Sequence, residues 1–237
     1  MDGYNLLAAT ITEFSDDVEA VIDQSDGLGD TWVAQQSSGV RKAQIDQKGF
    51  YDDAANGVVT ALVGNNGVSR ILTYALEGNT AGKKFVGYTG AMETKVDRIA
   101  ARGQLHKLNC SYMGNGQVNE GVILHPYAGE ATLPTGNTTL TSVDNGAATT
   151  TGAVFYVEVG GLSLGGYTNW RVILLNSADN ITFGDLTPVD TFTITATPTA
   201  QTAVITGSIL RYLAVRWDMA GAGAAPAVTF FAGAART

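Results

Sequence analysis

The pentapeptide Gly161-Leu162-Ser163-Leu164-Gly165 fits the G-x-S-x-G pattern of a nucleophile elbow. In an α/β-hydrolase that elbow is a strained strand-to-helix turn, which lifts the serine hydroxyl towards a histidine base and an oxyanion hole. Here the glycines stand between two strand patterns, FYVEV and NWRVILL, so the required helix is missing. The chain order Ser…Asp…His fails as well, because His106 and His125, the chain's histidines, both precede Ser163. The stretch reads as a flexible hairpin loop, and no enzymatic activity is expected of it.

Other reactive residue types fare no better. His106 and His125 stand on strand patterns without a C-x-x-C or H-x-x-x-H companion, so they read as surface or interface histidines and no metal site is expected. Cys110 is the single cysteine and lies in the strand pattern LHKLNCSY, where a small buried thiol is the expected role. The acidic run Asp23-Gln-Ser-Asp26-Gly27-Leu-Gly-Asp30 misses the calcium-loop spacing, with Gly27 where an oxygen ligand belongs, and reads as a turn. Gly114-Asn-Gly116 lacks the lysine and helix of a phosphate-binding loop. No cofactor is expected, and the absence of chemistry points towards a structural or binding role.

Composition agrees. The 237 residues include 29 glycines and only 15% charged residues, which favours strands joined by tight turns. The net charge is -8, split as 10 minus 15 over residues 1–125 and 4 minus 7 over the rest. Such a balance argues against tight nucleic-acid binding by phosphate neutralisation. A signal peptide and an apolar run long enough to cross a bilayer are both missing, so a soluble protein made in a cytoplasm, with no membrane partner, is expected.

The elements needed to position any site are mostly strands. Val18, Ala20 and Ile22 alternate with Glu19, Val21 and Asp23, and Lys42–Phe50 alternates likewise. A helix is predicted over Asp52–Val63, with Asp52 or Asp53 as cap and Val58, Val59, Leu62 and Val63 as its apolar stripe. Strands follow near Ser69–Leu76, Phe85–Arg98, Gly103–Met113 and Gln117–His125. Ala128–Gly152 reads as a linker or lead-in loop. Beyond it Phe155/Val157/Val159, Trp170/Val172/Leu174, Phe192/Ile194, Leu213/Val215/Trp217 and Val228/Phe230/Ala232 each share a face, as in a β-sandwich. Trp170 and Trp217 have the chemistry to stack on sugars, but their strand positions favour core packing.

The opening MDGYNL with its acidic strand, then GLGDTW, SGVRKAQIDQKGFYDD and a short helix, resembles the start of a siphophage major tail protein. The middle, ILTYALEGNTAGKKFVGYTGAMETKVDRIAARGQLHKLNCSYMGNG, is similar to that family's tube domain. FYVEVGGL, NWRVILLNSADNITFGDL and RYLAVRWDMAGAGAAPAVTFFAGAAR resemble a β-sandwich appended to such proteins. The resemblance implies a mainly β chain with three parts. Residues 1–127 are a tail-tube-type β-sandwich/barrel domain with one short helix, 128–152 a linker, and 153–237 a second, decorating β-sandwich.

It further implies a virion protein of the tail, made in the host bacterial cytoplasm, whose stacked hexameric rings close into a β-barrel channel for DNA ejection. Its partners are then copies of itself, the tape measure and terminator proteins, and transiting DNA that it does not bind specifically. An acidic lumen is expected, with Glu13, Asp16, Asp17, Glu19, Asp23, Glu93 and Asp97 as its candidates. The competing expectation is a capsid decoration or receptor-binding fibre module built from similar sandwiches.

Overall fold

The computed structural model describes residues 11–25, 34–51, 61–63, 67–130, 141–186 and 192–237. In the first two strands, side chains are described for residues 13–20 and 42–50. The chain is mainly β. Its strands are β1 (Ile11–Ser25), β2 (Ala34–Phe50), β3 (Ser69–Ala75), β4 (Lys84–Ile99), β5 (Lys107–Gly114), β6 (Val118–Glu130) and β7 (Val143–Asp144). There follow β8 (Ala153–Ser163), β9 (Asn169–Ser177), β10 (Gly184–Asp185), β11 (Phe192–Ile194), β12 (Thr199–Ile205), β13 (Tyr212–Ala220) and β14 (Ala227–Arg236). Of the predicted helix, residues 52–60 lie outside the described residues; Ala61 and Leu62 are helical and buried. Among the described residues, no helix is long and apolar enough to cross a membrane.

Two compact units share these strands. One comprises Arg70–Thr89 with Val118–Thr237, the other the described residues of 11–69 with Gly90–Gln117, and the division falls inside β4. This differs from the boundary expected at residue 127. β6 runs through that position to Glu130 and pairs with β14, as in Val228↔Glu130 and Phe230↔Ala128, so residues 128–130 are sheet and not linker. Within 141–152 the expected loop also carries β7 and a bridge from Thr149 to Ile209.

The sandwich unit places β6, β14, β8 and β12 side by side in one sheet, and β10, β9, β13 and β7 in the other, with β11 on β9. Phe155, Val157, Val159, Trp170, Val172, Leu174, Phe192, Ile194, Leu213, Val215, Val228, Phe230 and Ala232 all belong to one buried cluster. The larger sheet also buries its other face. Val154, Tyr156, Phe231 and Ala235 pack with Phe85 and Ile123 there, against partly buried Ile71, Ala75 and Tyr127. β8 is therefore buried continuously from Ala153 to Val159, as expected of a strand covered on both sides. Glu158 lies within that run, 3% exposed, and accepts a hydrogen bond from Thr73 Oγ1 at 2.8 Å.

The hairpin unit orders its strands β1-β2-β5-β4, all antiparallel. Among the described residues β2 pairs with β5 only from Gln44 to Phe50, whereas its pairing with β1 continues to Ala34. The far part of the hairpin is thus a two-stranded ribbon. Ala43, Ile45 and Gln47 are buried on one face of β2, with Lys42, Gln44 and Lys48 exposed on the other.

Candidate functional site

The residues singled out for chemistry are not assembled into a reactive site. Ser163 ends β8, pairs with Ala227, and is exposed. Gly165 and Gly166 follow at φ 57 and 101, and the chain then enters β9, a strand of the opposite sheet. The segment is a bridge between sheets, not the hairpin expected, because β8 and β9 have no mutual pairing. The strand-to-helix elbow that would activate Ser163 is absent.

His125 is 8% exposed on β6. Its ring stacks on Phe230 at 3.9 Å and 8°, meets Trp217 edge-on at 5.1 Å, and lies 3.1 Å from Glu130 Oε1 through Nε2. His106 belongs to the hairpin unit, exposed, with Tyr51 edge-on at 6.3 Å. Neither takes part in a metal-ligating group, and among the described residues no cluster of three such side chains exists. The Asp26–Asp30 part of the acidic turn lies outside the described residues. Cys110 is buried, and burial, reinforced by Glu93, pushes its thiol up to about 12, so it stays protonated and unreactive. Trp170 is fully buried against Phe230 at 4.8 Å, and partly buried Trp217 packs on the same core; Trp170 therefore has no free face for a sugar.

Burial lowers the pKa of His125 below its ordinary 6.5, against the opposing pull of Glu130. The folded state therefore favours the neutral ring, and the unfolded chain takes up the proton first as pH falls. Stability due to this site is present above about pH 6.5 and is lost as pH drops through and below it. Thermal unfolding followed from pH 7.5 to 5 should show a falling midpoint, and His125→Gln should flatten that slope. An equal slope in both proteins would assign the acid sensitivity elsewhere.

The seven acidic candidates separate by strand phase. Glu13, Asp17 and Glu19 lie opposite Lys48, Gln44 and Lys42, so these six share the outward face of the hairpin unit. Asp16 lies opposite Ile45, which is 0% exposed, and so projects from the other face. In β4 a register shift between Glu93 and Lys95 separates two residues that an unbroken strand would hold on one side. Asp97 lies opposite Asn109 on the outward face, whereas Glu93 lies opposite buried Tyr112 and is itself 1% exposed. Glu93 and Asp16 therefore leave the set of residues able to line that face. Asp23 pairs with Gln36, and its side chain lies outside the described residues.

Sequence reasoning missed the rest of this surface. Asn109, Ser111, Lys95 and Lys107 belong to it, with exposed Met113 and Ile99, carried by the same alternation across β5 and β4 that puts Asp46 there on β2. Its carboxylates are largely matched. Glu13 pairs with Lys48 at 2.7 Å, Glu19 with Lys42 at 3.2 Å and Asp97 with Lys95 at 2.6 Å. Asp46 accepts from Ser111 Oγ and from Gln44 Nε2, which lower its pKa in that order. Among the described side chains, Glu13, Asp17, Glu19, Asp46 and Asp97 stand against Lys42, Lys48, Lys95 and Lys107, five minus four. The face is polar and nearly balanced, not strongly acidic. Exposed ion pairs of this kind contribute little stability, about 0–1 kcal/mol each.

No protein-family model matches the sequence, and no curated protein matches it. Among solved structures, a chain from the virion of a native gene transfer agent particle is similar over 46% of this chain and 83% of its own, at 16% identity and TM-score 0.37. A chain from the tail of the empty gene transfer agent particle, refined with C6 symmetry, is similar over 46% and 81%, at 17% identity and TM-score 0.35. The SPP1 Dit protein, described as a hub of the adsorption apparatus in phages infecting Gram-positive bacteria, is similar over 98% and 96%, at 10% identity and TM-score 0.36. Likeness at this level assigns neither activity nor partner.

Proposed function

We propose that this chain is a structural subunit of a long-tailed phage tail, a major tail protein whose hairpin units join into hexameric rings around a DNA channel. The observation that carries the reading is the alternation across β2 and β5, where Lys42, Gln44, Asp46, Lys48, Asn109 and Ser111 share the outward face while Ala43, Ile45, Leu108, Cys110 and Tyr112 are buried on the other. A sheet with one apolar and one wet face is what a closed barrel with an aqueous interior requires. Glu13, Asp17, Glu19 and Asp97 line the channel in this proposal, alternating with lysines.

Such a lining has little hold on DNA. Tight binding draws on lysines that neutralise phosphates and release counterions, and three of the four lysines here are engaged by carboxylates. The net excess of one carboxylate leaves weak repulsion. The sandwich unit, to which residues 153–237 contribute β8 to β14, is the decorating part of the subunit in this proposal, and the tape measure and terminator proteins are the further partners.

Electron microscopy of the purified chain tests this. Rings or tubes with a central hole a few nanometres wide are expected. Particles that remain single subunits at every concentration, or that appear only as decorations on added capsids, overturn it.

A further inference from the structure

Among the described residues, the nine-stranded order starts at β1 and ends at β12, and each of these strands pairs on one side only. The two edges differ in chemistry. β1 carries Glu13, Asp16, Asp17, Glu19 and Asp23, charges that oppose pairing with another copy of itself. β12 reads TAQTAVI, and no charged residue occurs from Thr191 to Leu210. Among the described residues β12 pairs only with β8. Its outer edge therefore offers a row of backbone N–H and C=O groups with none of the charged side chains that guard such edges.

Side-chain placement adds a second observation. Ala203 and Ile205 pack against the sandwich core, so Ala200, Thr202 and Val204 project from the other face. Val204 is 65% exposed, an uncovered β-branched residue on an open strand.

We infer that the free edge of β12 is a pairing site for the β12 of a second copy of this chain, aligned antiparallel about Thr202. The strand is complementary to itself. In that register Thr199 faces Ile205, Ala200 faces Val204 and Gln201 faces Ala203, so no like charges meet and each Val204 is covered from across the two-fold axis. Cross-strand pairs of uncharged and β-branched residues stabilise an antiparallel ladder. An isologous contact of this kind is independent of any ring made by the hairpin units.

Site-directed cysteines test this in the full chain, because the native Cys110 is buried and stays protonated. Directly opposed residues in an antiparallel pair lie within disulfide reach. Under mild oxidation T202C should form a covalent dimer several-fold more abundantly than S208C, a control on the exposed segment beyond β12. A200C and V204C should each give only the control level alone and should cross-link to one another when mixed. Adding Val204→Lys to T202C should return the yield to the control level. Yields that never exceed S208C overturn the inference, as does self-linkage at all three positions, which marks a parallel alignment.

Discussion

Phe230→Ala should lower the stability of the sandwich unit by about 3–5 kcal/mol, the range for deleting a buried aromatic side chain. Phe230 is 0% exposed, and three rings converge on it: His125 stacked at 3.9 Å, Trp170 at 4.8 Å and Trp217 at 5.2 Å. These rings come from β6, β9 and β13, while Phe230 stands on β14, so one side chain ties both sheets together. Its removal leaves a cavity walled by rigid rings, which cannot collapse as aliphatic neighbours do. Trp170 and Trp217 make the effect directly visible, since their fluorescence follows urea unfolding of this core. Phe230→Leu should cost clearly less. A loss below about 1 kcal/mol for the alanine variant would mean that the stacked cluster is not a principal source of stability.

Gly121→Ala should destabilise by roughly 1–3 kcal/mol or more, the range of an overpacked interior, and the sign is what makes it informative. Glycine-to-alanine changes in open, unstrained positions normally stabilise, by about 0.4–1 kcal/mol, because the unfolded chain loses freedom. Gly121 has no left-handed φ, yet an added Cβ would stand 2.3 Å from the Ala234 carbonyl oxygen and 2.7 Å from the Phe85 ring. Both obstacles belong to the interior of the unit, and one is backbone, so neither can swing aside. Gly184, at the edge strand β10, has nothing within 4 Å of the same position. Gly184→Ala should therefore be neutral to slightly stabilising. Opposite signs for the two variants, measured by the same denaturation experiment, are the expected result; equal signs would contradict the close packing of β6 on β14.

The strands were legible in the sequence wherever alternation was local. Phe155, Val157 and Val159, or Trp170, Val172 and Leu174, announce their shared face, and all six lie in one core. Which strands pair was not legible. β14 joins β6 through Ala232↔His125 and β8 through Ala234↔Phe155, contacts between residues far apart in the chain that leave no local pattern. The division inside β4 leaves no local mark for the same reason. The strand phase of the acidic residues was half legible. Asp16 and Asp17 are neighbours on a strand and must project oppositely, which alternation alone reveals. Separating Glu93 from Asp97 required the shift between Glu93 and Lys95, and nothing in METKVD marks it. Lys42 and Lys48 share the polar side of an alternating run, but their pairing with Glu19 and Glu13 came into view only with the cross-strand register.

The position of β14 between β6 and β8 also sets a schedule. Of these three neighbours it is the last to emerge from a ribosome, so β6 and β8 are complete while the strand that joins them does not yet exist. Each holds an open edge through the synthesis of β9 to β13, and the aromatic core waits on Phe230. Contacts of such long sequence separation fold slowly, because loop closure must precede any gain from packing. The sandwich therefore closes only once β14 has been made, later than either strand it joins. Until β14 is made, the unpaired edges of β6 and β8 are where the new chain most needs chaperones or spacing between ribosomes.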